Sequence, residues 1–306
     1  MTELAIQAVQ LNKHFDSFCA LCNVNMSVPE GAVYGLVGPN GAGKTTLLQH
    51  IAGIYRKDSN NMLSKMLVFG EPVFENSQVK ERIAFVPSSF YLPARVTLKS
   101  MTSLYSAVTP RFSVARFEEL KAKFDLPDTL PLRKFSKGMQ KQAMLLLALA
   151  SCPDVLLLDE PMDGLDPIVR KTCWSLVLSD VSERNTTVVV SSHNLRELEG
   201  ICSHLGIMSK GSVIREYDLF ATDNSLVKVQ IALPDGTDFA SANVNILNDT
   251  AEGRLHTLIV QGEVQQVQSE LATLNPVLME IIPLTLEEIF MYELKEEGAY
   301  DAEAIL

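Results

Sequence analysis

Gly38-Pro39-Asn40-Gly41-Ala42-Gly43-Lys44-Thr45 decides how this chain is read. The spacing G-x-x-x-x-G-K-T is that of a phosphate-binding loop. Its glycines let backbone N–H groups turn inward and cradle anionic phosphate oxygens. Lys44 is then placed to reach the β- and γ-phosphates of ATP, and the Thr45 hydroxyl to hold Mg²⁺. Both flanks fit. Ala32-Val33-Tyr34-Gly35-Leu36-Val37 is an apolar, strand-like run, and Thr46-Leu47-Leu48-Gln49-His50-Ile51 begins a helical pattern. Strand, loop and helix in that order aim the helix N-terminus at the phosphates.

A phosphate loop needs a second half to split ATP: a metal-holding carboxylate at a strand end and a base for water. Val155-Leu156-Leu157-Leu158-Asp159-Glu160 supplies both. Four apolar residues predict a buried strand, with Asp159 at its mouth for the Mg²⁺ shell. Glu160 follows at once and can polarise the attacking water.

Outward from these motifs, alternating apolar runs and helical stretches predict an α/β domain through about Gly211. Strands are expected at Arg82 to Val86, Val155 to Asp159 and Thr187 to Ser191. Residues from about 88 to 150 read instead as a helical insertion, with helical periodicity over Phe112 to Leu120 and Met139 to Ala150. After a break at Tyr217 to Asn224, a small α+β accessory domain is expected. Its strands are Leu226 to Leu233, Leu255 to Val260 and Val277 to Ile282. Its helices are Val264 to Leu274 and Leu286 to Leu294, with a turn at Pro234-Asp235-Gly236-Thr237. The expected domains are thus 1–217 and 218–306.

The 306 residues are 47% hydrophobic, enough for two cores. No apolar run approaches the roughly 18 residues of a membrane span. Ala143 to Ala150 is too short and reads as a buried helix. The start MTELAIQAVQ lacks the basic and apolar regions of a secretory signal, so a cytosolic chain is expected. The net charge is −11, and it is uneven. From Asp218 onward sixteen acidic residues face three basic ones, a net of −13, which leaves +2 for residues 1–217. Such a tail argues against nucleic acid as a partner and against anionic lipid as a direct ligand. Five cysteines without a secretion signal predict free thiols, including Cys19 and Cys22, whose spacing lacks the second pair a zinc site needs. His14, His50, His204 and His256 form no ligand constellation.

Taken together, these motifs resemble the ATP-binding cassette family, the ATPase subunits of ABC transporters. The resemblance covers about residues 3 to 216. Phe135-Ser136-Lys137-Gly138-Met139 is similar to the family signature L-S-G-G-Q, with Lys137 replacing a glycine and Met139 the glutamine. Asp163-Gly164-Leu165-Asp166 matches the D-loop, and His193 the switch histidine. Phe15 falls where the family stacks an aromatic ring on adenine. Ser88 stands where the family usually carries a glutamine that meets Mg²⁺.

The resemblance implies a P-loop NTPase cassette with a helical subdomain and a mechanism shared by two cassettes packed head to tail. Ser136 and the Gly138 N–H would grip the γ-phosphate bound by the partner's loop. Ser136 also reads as an ordinary N-cap. His193 would contact the γ-phosphate, and Asp166 would couple the two sites. ATP then acts as interface glue, and hydrolysis lets the pair open.

The insert, the FSKGM signature and the segment Pro283 to Phe290 resemble bacterial type-2 ABC exporter ATPases. That implies a separate transmembrane permease, docked near Ser88 to Met101 at the cytoplasmic face of the membrane. Two other classes remain open. A soluble ABC ATPase on ribosomes or DNA would usually bring a second cassette, a basic region or a long coiled coil. A binder that closes on ATP without turnover is disfavoured by Glu160.

Overall fold

The computed structural model describes residues 3–58, 63–220, 226–234, 237–239 and 242–296. The chain divides into two compact units, Met1–Glu216 and Tyr217–Leu306.

The first unit is built on two sheets. One is the hairpin β1 (Leu4–Phe15) and β2 (Phe18–Pro29), extended by β3 (Val33–Val37) only in sequence, because β3 turns into the other sheet. After α1 (Lys44–Ile51) come β4 (Lys65–Val68) and β5 (Glu71–Pro72), which complete the order β2-β1-β4-β5. The second sheet takes β6 (Ile83–Val86), β7 (Val155–Asp159), β8 (Thr187–Ser192), β9 (His204–Ser209) and β10 (Ser212–Asp218). Its order is β10-β9-β3-β8-β7-β6, with β9, β3, β8, β7 and β6 parallel.

Parallel strands covered on both faces carry continuous apolar runs rather than alternation. β3, β7 and β8 are buried at every residue. Leu47, Leu48 and Ile51 of α1 pack with Leu36, Leu157 and Val189 in one core, joined by Ile6, Leu11 and Met26 of the hairpin. All of these parallel strands end on the same side, so the residues after β3, β7 and β8 converge there. In open α/β sheets ligands bind at that edge.

Between β6 and β7 lie the helices α3 (Leu98–Val108), α4 (Val114–Lys121) and α5 (Lys137–Ala150). A short α2 (Ser77–Lys80) precedes β6, and α6 (Pro167–Arg184) follows β7. Among the described residues of the insert the sole β feature is an isolated bridge, Thr97 to Pro131. Each helix of the insert starts at a side-chain cap. Thr97 and Ser100 form a reciprocal capping box, Ser113 caps α4, and Ser136 caps α5. Residues 145–150 of α5 are all buried, as the apolar run requires.

The second unit carries β11 (Leu226–Ala232), β12 (Asn245–Glu252), β13 (Leu255–Gln261) and β14 (Leu278–Ile282) in the antiparallel order β12-β13-β11-β14. α7 (Val264–Ala272) sets Val267 and Leu271 against Val227, Val229 and Ile231. α8 (Leu286–Glu296) is tied back by Lys228 donating to Glu288 at 2.7 Å. The polar β12 was not expected from the sequence. Of the expected turn, Asp235 and Gly236 lie outside the described residues, as does part of the expected break.

Among the described residues no helix is long and apolar enough to cross a membrane. One expectation is corrected. Cys19 and Cys22 are not free thiols but joined as a disulfide, their Cα atoms 6.0 Å apart. In a regular strand, residues three apart face opposite sides at roughly 10 Å. Here the β1–β2 register shifts between Lys13 and His14, opposite Leu21 and Cys19, and the irregularity folds the two cysteines together. Cys173 and Cys202 are buried thiols, and burial pushes each up to about 12.

Candidate functional site

The loop from Gly38 to Gly43 joins β3 to α1 and points the N-terminus of α1 into an open cleft. Two glycines are required by space. A Cβ at Gly38 would lie 2.2 Å from the Met208 carbonyl. Gly43 is left-handed, with φ +105°, and a Cβ there would lie 2.6 Å from the Ala20 carbonyl. Asn40 to Thr46 line the cleft, whose volume of about 530 Å³ suits a nucleotide-sized ligand. Lys44 is buried, and its Nζ folds back to donate to the Gly38 carbonyl at 2.6 Å. Burial pushes its ammonium below the usual range, against the pull of Glu160 and Asp159.

Asp159 ends β7 beneath this loop, 1% exposed. Three hydroxyls converge on it. Thr45 donates to Oδ2 at 2.9 Å, Ser88 to Oδ2 at 2.8 Å, and Ser191 to Oδ1 at 2.6 Å. Thr45 opens α1, Ser88 follows β6, and Ser191 sits in β8, so three elements deliver them to one carboxylate. These are hard oxygen donors, the set that Mg²⁺ takes together with phosphate oxygens. Ser191 was not singled out by the sequence. Its run Val188-Val189-Val190-Ser191-Ser192 predicts only a buried strand.

Glu160, next in the chain, lies in the left-handed region at φ 50°. A non-glycine residue there costs of order 1–3 kcal/mol and needs surrounding contacts to hold it. Its N–H donates to both the backbone and side-chain oxygens of Ser191, each at 3.2 Å. Its carbonyl accepts from Lys141 Nζ at 2.7 Å. Its carboxylate Oε2 lies 2.5 Å from His193 Nδ1. An ionised carboxylate only accepts, so Nδ1 carries the hydrogen in that pair. Ser88, Glu160 and His193 all line the cleft that the phosphate loop opens onto.

Not every expected residue joins them. Phe15 closes β1 and is 40% exposed, with its ring edge-on to Tyr55 at 5.4 Å. Phe18, across the hairpin turn, lines the cleft in its place. Ser136, Gly138 and Asp166 are not part of the cleft of their own chain. Ser136 accepts the Met139 N–H at 3.2 Å, and Asp166 caps α6 by accepting from Ile168 and Val169. Gly138 lies against the D-loop, where an added Cβ would meet Leu165 at 3.2 Å.

The family model described as ABC transporter matches residues 21–163. The ATP-binding protein YtrB of Bacillus subtilis is 30% identical over 286 residues, 94% of this chain and 97% of that one. This chain belongs to the ABC transporter ATP-binding proteins. The bacitracin transport ATP-binding protein BcrA of Bacillus licheniformis is 32% identical over 214 residues, 69% of each chain. The dimeric structure of MJ0796, a bacterial ABC transporter cassette, superposes with a TM-score of 0.64 at 22% identity. It covers 71% of this chain and 99% of its own, and it shows that the fold is that of an ABC cassette. The protein is therefore an ABC-family ATPase, the ATP-binding subunit of a transporter. The YtrB match covers more of the chain than the first unit contains, so it runs into the second.

Proposed function

We propose that this chain powers export through a separate membrane-spanning permease, working as one of two cassettes that close on ATP. The observation that carries the reading is the convergence of Thr45, Ser88 and Ser191 on Asp159, with Glu160 and His193 beside the phosphate loop. The loop binds the phosphates through its backbone and Lys44. Thr45, Asp159 and Ser88 would hold Mg²⁺, which would supply charge neutralisation at the phosphates. Glu160 takes the proton of the attacking water. His193 holds the Glu160 carboxylate through Nδ1, and its Nε2 reaches a γ-phosphate oxygen as a donor only when the ring carries a hydrogen on both nitrogens.

Ser136 and Gly138 serve the ATP of the second cassette, which accounts for their place outside their own cleft. Asp166 carries the state of one site to the other. The cassette takes residues 1–217, with 218–306 as an accessory unit, a reading supported by the division into Met1–Glu216 and Tyr217–Leu306. The chain sits on the cytoplasmic face of the membrane. Export rests on the type-2 resemblance and on BcrA, which is named for bacitracin transport.

The test is to tag the chain, extract native membranes in mild detergent and identify what is recovered with it. A multi-span protein without an ATPase of its own is the expected companion. Recovery with ribosomes, or in the soluble fraction alone, would remove the transporter assignment of partner and place.

The aromatic end of the β1–β2 hairpin takes the adenine. Phe15→Ala is expected to raise the KM for ATP about fivefold with kcat unchanged, the value of a modest stacking contact of ~1 kcal/mol. Steady-state kinetics of Phe15→Ala and Phe18→Ala decide this. An unchanged KM in the first with a raised KM in the second would move the stack to Phe18.

A further inference from the structure

Lys141 lies on α5, five residues beyond its N-cap Ser136. Its side chain is 11% exposed. The ammonium donates to two backbone oxygens of the turn after β7: Glu160 at 2.7 Å and Asp163 at 2.8 Å. The Asp163 carboxylate lies 4.0 Å away. An ammonium has three donors and no acceptor, so one group can bind two carbonyls of the same turn and fix their separation. Nothing in the signature or in the Asp159-Glu160 pair names this residue.

We propose that Lys141 is a positioning residue, which clamps the strained Glu160 backbone and ties it to the helix that begins at Ser136. The two peptide groups flanking the Glu160 Cα are both held, the N–H before it by Ser191 and the C=O after it by Lys141. Losing the second grip frees a left-handed residue to relax toward the extended angles that a residue before a proline, here Pro161, favours. That relaxation swings the carboxylate away from His193. Burial lowers the Lys141 ammonium from its usual range, against the pull of Asp163 and Glu160, so the cation is held there by its acceptors.

α5 starts at the residues that serve the second cassette's ATP, while Glu160 serves the chain's own. Lys141 therefore joins the two half-sites within one chain, through a single side chain. The inference rests on the reading of Glu160 as the base.

A misplacement of about 1 Å at a reacting group can cost on the order of 100-fold in rate. Lys141→Met in the full-length chain is expected to lower kcat tenfold to a hundredfold. KM for ATP should stay within about twofold, because the phosphate loop is untouched and Nζ is already engaged with carbonyls. Lys141→Arg, which keeps a cation with several donors, should recover most of the rate. Lys141→Gln is measured alongside and carries the same expectation as Lys141→Met if the latter fails to fold.

A raised KM with kcat intact would overturn the proposal and make Lys141 a phosphate ligand. Full kcat in both Lys141→Met and Lys141→Gln would overturn it as well. Glu160→Gln separates the two layers. If that variant is inactive while Lys141→Met is fully active, the clamp alone is wrong. If Glu160→Gln keeps its turnover, the reading of the base is wrong.

Discussion

Glu160→Gln is expected to release no phosphate above background and to retain ATP, with the two proposed cassettes held closed. The expected loss in turnover is on the order of 100- to 10,000-fold, the worth of a positioned general base. The substitution is nearly isosteric. The amide oxygen still accepts from His193 Nδ1, and the backbone contacts to Ser191 and Lys141 do not involve the side chain. What is lost is the ability to take a proton from water. The phosphate loop, Thr45 and Asp159 are unchanged, so binding persists while the chemistry stops.

Phosphate release, retained nucleotide after gel filtration, and sedimentation together check this. Trp174, the single tryptophan of the chain, shares a small cavity with Glu160 and His193. Its emission is expected to shift in the trapped state, and it serves as an additional readout. Unchanged phosphate release would show that another group activates water.

The halves of the site were legible where chemistry leaves a local pattern. The phosphate loop needs its glycines at fixed spacing, because Gly38 and Gly43 have no room for a Cβ. The run Val155 to Asp159 is strand β7 to the residue, because a strand buried on both faces must be apolar throughout. Ser88, found by its place in the resemblance, does reach Asp159. Lys141 left no such trace. Its partners are backbone oxygens 19 and 22 residues away, and a carbonyl has no sequence identity. Ser191 was hidden inside a run that predicts only burial. β12 was missed because Asn245 to Glu252 is a polar edge, without the alternation that marks a half-buried strand. The cysteine pair was misread because a register shift, invisible in composition, reverses the facing of Cys19 and Cys22.

The largest expected loss of stability lies away from the site, at Arg116 and Asp180. Arg116 of α4 donates to Asp180 of α6, whose side chain is 0% exposed. The pair thus pins the helical insert to the helix that follows the D-loop. Burial pushes the Asp180 carboxyl up from its usual range, and Arg116 and Arg184 only partly offset that. Among the described residues Asp180 Oδ2 and Arg116 Nε have no hydrogen-bond partner, so the pair is incompletely satisfied. Under those conditions removing one member costs far more than removing both.

Arg116→Met should therefore lower the unfolding free energy by about 3–5 kcal/mol, because it strands a buried carboxylate. Asp180→Leu combined with Arg116→Met should recover most of the loss, since an apolar pair needs no desolvation of charge. The deficit of the single variant also depends on pH. Without Arg116 the folded-state pKa of Asp180 rises further above its unfolded value. A group raised in this way favours the fold when protonated, so the deficit is full near neutrality and shrinks as pH falls toward the ordinary carboxylate range. Urea unfolding of the single and double variants at two pH values reads all three terms. If Arg116→Met unfolds at the wild-type midpoint, the pair contributes nothing and the insert is held to α6 by apolar packing alone.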